Sequence, residues 1–245
     1  MPMRSCNRDW RNAVNGVTGS GFRIRMAVQE DAFDIATFYA PYVLDTAINF
    51  EYEPPSAEDY RHRIIDVERR LPFLVAVNGQ GQVIGYTYAN PMGLRPAFAW
   101  SIVTSIYLDQ SIRGQGVGTR LYRALELILK QQHVVNMFAC ITVAKDDNLA
   151  DVYGGNPARR KLGADDPHLP GVSPRFHSAY GFVPVGREID CGYKLGRWYD
   201  KLWMEKHINS SDGAPEAVIS LPDIDARLVH DVLDQVNSTG SAGNW

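Results

Sequence analysis

The sequence predicts a single α/β domain within a chain of 245 residues, long enough to bury a sizeable core. Three observations carry that expectation. An alternating run from Trp100 to Leu108 reads as a strand, and Val117, Leu121, Leu125 and Ile128 behind it form an apolar stripe at helical spacing. Between them lies a turn with glycines at 114, 116 and 118, so the unit is strand, glycine-studded turn, helix. Finally, the apolar runs Phe73–Asn78 and Val83–Ala89 are joined by Gly79-Gln80-Gly81, a hairpin signal.

The remaining elements follow in order. The stretch Met1 to Gly21 is polar and has no apolar signal core, and Asn12 to Ser20 reads as a flexible leader. Phe22, Ile24 and Met26 alternate with arginines as a first strand. Glu30-Asp31 opens a helix through Ile35, Phe38 and Tyr39, with Pro41 near its end. Ser56, with Asp59 three places on, resembles a helix start leading into Tyr60 to Arg70. After the hairpin come the loop Asn90 to Pro96, the Trp100 strand, the helix Val117 to Gln132 and a strand ending near Val143. Tyr193, Lys194, Arg197 and Trp198 read as strand–turn–strand about Leu195-Gly196. Beyond Lys206, residues 207–216 read as a linker. Val218 to Leu221 is expected to add a short edge strand, and Asp223 to cap a helix holding Ile224, Leu228, Val229, Val232, Leu233 and Val236. The division is thus a leader (1–21), a domain (22–206) and a C-terminal linker and appendage (207–245).

Composition excludes several classes of function. Lys+Arg 25 against Asp+Glu 28 leaves the chain near neutral with no basic stripe, so no nucleic-acid partner is expected. No apolar run is long enough to span a bilayer, so no membrane partner is expected either. The three cysteines, Cys6, Cys140 and Cys191, are too few and too scattered for a disulfide framework or a zinc site. The expected location is the cytoplasm, with no metal.

The glycine turn carries the chemistry. Backbone N–H groups at a helix N-terminus, reinforced by the helix dipole, form a cradle for a pyrophosphate, and missing Cβ atoms let a ligand approach the main chain. A Walker loop would need Lys and then Ser or Thr after its last glycine, where this chain has Thr119-Arg120. A Rossmann fingerprint would place its third glycine one position later and an acid about 20 residues on. The pattern Arg/Gln-x-x-Gly-x-Gly/Ala is met by Arg113, Gly116 and Gly118. A glycine-rich turn without a ligand is the remaining alternative.

That last pattern resembles the acetyl-CoA loop of the GNAT superfamily of N-acetyltransferases. Within it, Thr46 to Pro54, Ala97-Phe98-Ala99-Trp100 leading to Ser105 to Leu108, and Cys191 to Asp200 resemble the phosphinothricin N-acetyltransferase family. The resemblance covers about Phe22 to Lys206. It implies an α/β GNAT acyl-CoA N-acyltransferase fold: a mixed, mostly antiparallel sheet splayed beside the phosphate loop and flanked by helices. It also implies an acetyltransferase acting on the α-amine of a small amino acid or an analogue such as phosphinothricin, methionine sulfone or methionine sulfoximine. Acetyl-CoA is the implied co-substrate, without metal, in a homodimer. The implied cofactor contacts are Ile106, Tyr107 and Leu108 for pantetheine, Arg113, Gly114, Gln115, Gly116, Val117, Gly118 and Thr119 for the pyrophosphate, and Ser173. The implied substrate contacts are Asn49, Phe50 and Arg95.

The chain departs from these relatives in two places. The family's glutamate three residues after the strand tryptophan is here Val103, which cannot accept a proton. His177 and Glu53 are the candidates to replace it on resemblance, against a packed helix histidine and a solvated loop carboxylate. Pro170 falls where the family places an asparagine, within a long insert over 145–172 that also carries Asn156, Arg159, Arg160 and Lys161. As a lid, that basic cluster could meet the CoA 3′-phosphate; a solvated surface cluster is the alternative. Two functional alternatives stay open: a CoA-binding protein with little or no catalysis, and an acetyltransferase for a different amine.

Overall fold

The computed structural model describes residues 21–145, 147 and 166–238. The leader before Gly21, Cys6, most of the insert with Asn156, Arg159, Arg160 and Lys161, and the chain beyond Ser238 lie outside the described residues.

Seven strands form one sheet in the order β1-β2-β3-β4-β5-β7-β6. They are β1 (Phe22–Met26), β2 (Phe73–Asn78), β3 (Val83–Pro91), β4 (Ser101–Leu108), β5 (Asn136–Ala144), β6 (Val183–Lys194) and β7 (Arg197–His207). The helices are α1 (Ala32–Leu44), α2 (Ala57–Glu68), α3 (Val117–Gln131), α4 (Ser173–Ala179) and α5 (Ala226–Ser238). Every described strand pair is antiparallel except β4 with β5. That pair holds only from Ser101↔Asn136 to Thr104↔Ala139, although β4 runs on to Leu108 and β5 to Ala144. The two strands therefore part in mid-sheet, and the glycine turn follows at the end of β4.

Local chemistry explains the elements that frame this gap. Ser56 accepts the Asp59 N–H while the Asp59 carboxylate accepts from Ser56 N–H, a capping box that starts α2. The β6–β7 hairpin turns on Leu195 (φ 50°) and Gly196 (φ 80°), with Lys194 paired to Arg197. A two-residue turn of positive φ matches the right-handed twist of its strands. The stripe of α3 buries Val117, Leu121, Leu125 and Ile128 in the core on the rear of the sheet, as the spacing predicts. On the front, α1 and α2 cover β2–β4 through a second core rich in tyrosine.

Two C-terminal expectations are corrected. Residues 218–221 form no strand: Ile219 N–H goes to the Gln132 carbonyl and Leu221 N–H to Arg70, and a 3₁₀ turn (Leu221–Asp223) follows. The buried Gln132 amide, donating to the Arg70 and Ile219 carbonyls, takes up the segment singly where a ladder would need a neighbouring strand. Asp223 does not cap the last helix, because Ile224 is extended (φ −72°, ψ 143°) and α5 begins at Ala226. Asp225 accepts the Arg227 N–H there instead. The helix α5 packs on α3 and β1, its Val229, Val232, Leu233 and Val236 joining the rear core, and Asn237 bonds to both the N–H and the carbonyl of Ile24.

Candidate active site

Where β4 and β5 separate, a cleft of about 860 Å³ opens between them and continues to the N-terminus of α3. One wall is Thr104 to Leu108 of β4, the other Ala139 to Val143 of β5. The glycine turn closes one end, and Ser173, Phe176 and His177 of α4 line the rear.

The turn is shaped by backbone conformation. Gly114 (φ 68°) and Gly116 (φ 75°) adopt the left-handed region that side-chain-bearing residues avoid. Gly118 is required for a different reason: a Cβ there would stand 3.2 Å from the Phe176 ring of α4. Its missing side chain therefore lets α4 pack against α3, a role distinct from the ligand approach expected of all three glycines. Gly116 precedes α3, so the first-turn N–H groups have no acceptor within the helix and face the cleft end. Exposed Arg113 donates through Nε to the Gln110 carbonyl, holding the turn. Tyr42 of α1 closes the opposite side by donating to the Leu108 carbonyl.

The expected cofactor contacts Ile106, Tyr107, Leu108, Arg113 to Thr119 and Ser173 all line this cleft. His177 joins them, 3% exposed and bonded on both ring nitrogens. Its Nδ1 lies 2.8 Å from the Ser173 carbonyl, which only accepts, so Nδ1 carries the proton. Nε2 is then an acceptor, 2.7 Å from the Tyr122 hydroxyl. Thr104 Oγ1 sits 3.0 Å from the same hydroxyl and 3.1 Å from the Phe138 carbonyl. Burial pushes His177 down to about 4, so the ring is neutral near pH 7. Burial also pushes the Cys140 thiol of the β5 wall up to about 11, leaving it protonated there.

The other singled-out residues stand outside the cleft lining. Exposed Arg95 caps the 3₁₀ turn Pro96–Phe98 before β4. Glu53 is exposed in the loop between α1 and α2. In the same loop, Asn49 accepts through its carbonyl and Oδ1 from Lys194 Nζ, and donates to the Tyr39 hydroxyl. Phe50 fills the space beside Gly192, where a Cβ would overlap its ring, with Lys201 Nζ above it. Val103 is half-buried on β4, paired with Asn90 and Phe138.

Sequence reasoning missed Tyr122 and Glu51, and read Lys194 only as part of the hairpin. A tyrosine four residues after Gly118, on the apolar face of α3, was the available signal for Tyr122. Glu51 had none: two carboxylates sit two residues apart in that loop, and only folding turns one of them inward. Lys194 is buried at 3% exposure, which lowers its ammonium below the ordinary lysine range. Among the described residues, no group of His, Cys, Asp and Glu is arranged to hold a metal, and no helix is long and apolar enough to cross a membrane.

A sheet that splays beside a glycine turn at a helix N-terminus is the architecture of an acetyltransferase. The chain belongs to the GNAT acetyltransferase domain family, which matches residues 24–203. Among its relatives is the phosphinothricin N-acetyltransferase of Streptomyces coelicolor, 27% identical over 75% of this chain and 95% of the relative. An L-methionine sulfoximine/L-methionine sulfone acetyltransferase of Pseudomonas paraeruginosa is also 27% identical, over 59% of this chain and 69% of that one. The fold is similar to that of a phosphinothricin acetyltransferase from Sinorhizobium meliloti crystallised with acetyl-CoA. The TM-score is 0.66 and the identity 28%, over 80% of this chain and 94% of that structure.

Proposed function

We propose that this protein transfers an acetyl group from acetyl-CoA to the α-amine of a small amino acid or an analogue of the phosphinothricin or methionine sulfone type. The observation that carries the reading is the parting of β4 from β5 beside the N-terminus of α3. Acetyl-CoA supplies an activated thioester, and the residues lining the cleft suit it. The N–H groups after Gly114 and Gly116, with Arg113, offer donors to a pyrophosphate. The main chain of Ile106 to Leu108, unpaired with β5, offers donors and acceptors to pantetheine. We assign Tyr122, held by His177 and Thr104, to relay a proton to the departing sulfur, its hydroxyl turning from His177 Nε2 into the cleft to do so. Arg95, with Asn49 and Phe50, is assigned to the substrate side, the arginine meeting a carboxylate.

We further infer a cytoplasmic homodimer. Tyr193 and Trp198, exposed at the hairpin and packed edge to face at 5.3 Å, offer an aromatic surface to a second protomer.

The test is CoA release from acetyl-CoA across phosphinothricin, methionine sulfone, methionine sulfoximine, common L-amino acids and spermidine. Thermal unfolding with and without acetyl-CoA runs alongside. Turnover with an amino-acid analogue and a raised midpoint is the expected result. A raised midpoint without turnover would favour a CoA-binding role, which Val103 in place of the family's glutamate motivates. Turnover with spermidine alone would move the substrate to a cationic amine. Neither shift nor turnover would overturn the assignment of the cleft.

A further inference from the structure

An ammonium group must lose a proton before its nitrogen can attack, and the front of β4 holds no carboxylate or imidazole to take it. Its front-facing side chains are Ser101, Val103, Ser105 and Tyr107. The residues paired with Val103 on either side are Asn90 and Phe138, so neither adjacent strand supplies an acceptor there. Among the described residues three carboxylates line the cleft, none of them on the front of β4. Asp109 accepts from Ser111 in the turn, Asp147 accepts the Ala144 N–H, and exposed Asp45 ends α1 beside Tyr42. His177 already accepts the Tyr122 hydroxyl at the rear.

Resting on the acetyltransferase reading above, we propose that the substrate's ammonium proton leaves through the hydroxyls of Tyr107 and Tyr39 to the carboxylate of Glu51. Tyr107 and Tyr39 meet through their rings, and Tyr39 and Glu51 through a hydrogen bond. Tyr107 lines the cleft with Ser105, and its ring meets that of Tyr39 edge-on at 4.8 Å. The Tyr39 hydroxyl donates to Glu51 Oε2 at 2.6 Å and accepts from Asn49 Nδ2 at 3.1 Å. The loop bearing Glu51 is tied across the front of the sheet at several points. Thr142 donates to the Ile48 carbonyl, Lys194 holds Asn49, and the Tyr52 hydroxyl donates to the Tyr193 carbonyl. Glu51 is half-exposed, so a proton delivered to it can pass to water.

Burial raises both tyrosines well above the ordinary phenol range, and the neighbouring Tyr39 hydroxyl opposes the rise at Tyr107. Neither hydroxyl rests as phenolate, so each passes a proton on rather than storing one. The charged and titratable groups facing Glu51 are Tyr39 of α1, Tyr60 and Arg63 of α2, Tyr107 of β4 and Lys194 of β6. Arg63 lies 3.8 Å away from it.

An N–H proton moves to Tyr107 Oη as the Tyr107 proton moves to Tyr39 and the Tyr39 proton to Glu51. The nitrogen lone pair then forms the C–N bond, the C–S bond breaks, and a second N–H proton reaches the CoA sulfur. One proton is released from Glu51 to solvent for each amide formed. Glu51 acts through the two tyrosines and not on the amine itself.

Glu51→Gln tests this, because the amide oxygen still accepts from Tyr39 but cannot take up a proton. With a substrate that the wild type acetylates, kcat is expected to fall by roughly 10²-fold. The KM for acetyl-CoA and the Tm are expected to stay unchanged. The residual rate should rise about tenfold per pH unit up to the amine's own pKa, where the wild type levels off earlier, and Glu51→Asp should restore part of kcat. Tyr39→Phe, which breaks the path without touching the carboxylate, should reproduce that pH profile and serves if Glu51→Gln fails to fold. Wild-type kcat and pH profile in both variants would overturn the path while leaving the acetyltransferase reading intact. An acetyl-CoA-binding wild type that turns over no amine would overturn both.

Discussion

His177 shows how one residue's surroundings set its chemistry. With Nδ1–H committed to the Ser173 carbonyl and Nε2 to Tyr122, the ring is saturated while neutral, and a proton on Nε2 would face the hydroxyl that now donates to it. Its folded-state value of about 4 lies below the ordinary 6.5, so between those values the unfolded chain binds more protons than the folded one. Stability is therefore complete above about pH 6.5 and is lost as pH falls towards 4, by about 3 kcal/mol from this group. Unfolding midpoints measured from pH 7 to 4 should fall more steeply in the wild type than in His177→Gln; equal slopes would show that the buried ring does not set the trend. The residue types were legible in the sequence, but the ring's hydrogen-bonding state was not. That state depends on Tyr122 and Ser173, which stand 55 and 4 residues away in the chain. Glu51 and Glu53 make the same point: equivalent as letters, they are separated by the fold into one carboxylate on Tyr39 and one in solvent.

At the scale of elements, the strand–turn–helix unit was readable because each part has a local cause. Alternation sets β4, positive φ demands glycine at 114 and 116, and an apolar stripe seats α3. Gly116→Glu places a side chain at φ 75° and a negative charge where anion-binding N–H groups converge. The strain alone costs about 1–2 kcal/mol. Titration calorimetry should find acetyl-CoA affinity lost while circular dichroism still reports a folded chain; retained affinity would remove the turn from the binding site. The reason for Gly118 was hidden, since Phe176, which fills its Cβ space, comes from a helix 58 residues further on. The expected strand at 218–221 failed for a comparable reason. Apolar alternation there reflects burial against Arg70 and Gln132, partners that no local pattern can name.

For the whole molecule, the appendage expected beyond Lys206 is part of the main packing. Leu221, Val229, Val232, Leu233 and Val236 are buried in the rear core with α3 and β1. Each such side chain contributes about 1.5–3 kcal/mol, and their sum is comparable with the net stability of a domain. A chain ended at His207 should therefore be insoluble or lose tens of degrees in Tm, and a soluble truncation with the full-length midpoint would show that α5 is dispensable. The sheet itself is two contiguous blocks of sequence. The ladders of β1 to β4 are completed within residues 22–108, and those of β5 to β7 within 136–207. Four residue pairs between β4 and β5 are the whole of the backbone register joining the blocks. The loop-closure entropy of uniting them falls on that seam, and the cleft takes a wall from each side of it. During folding, the capacity to bind arrives only with the step that joins the two blocks.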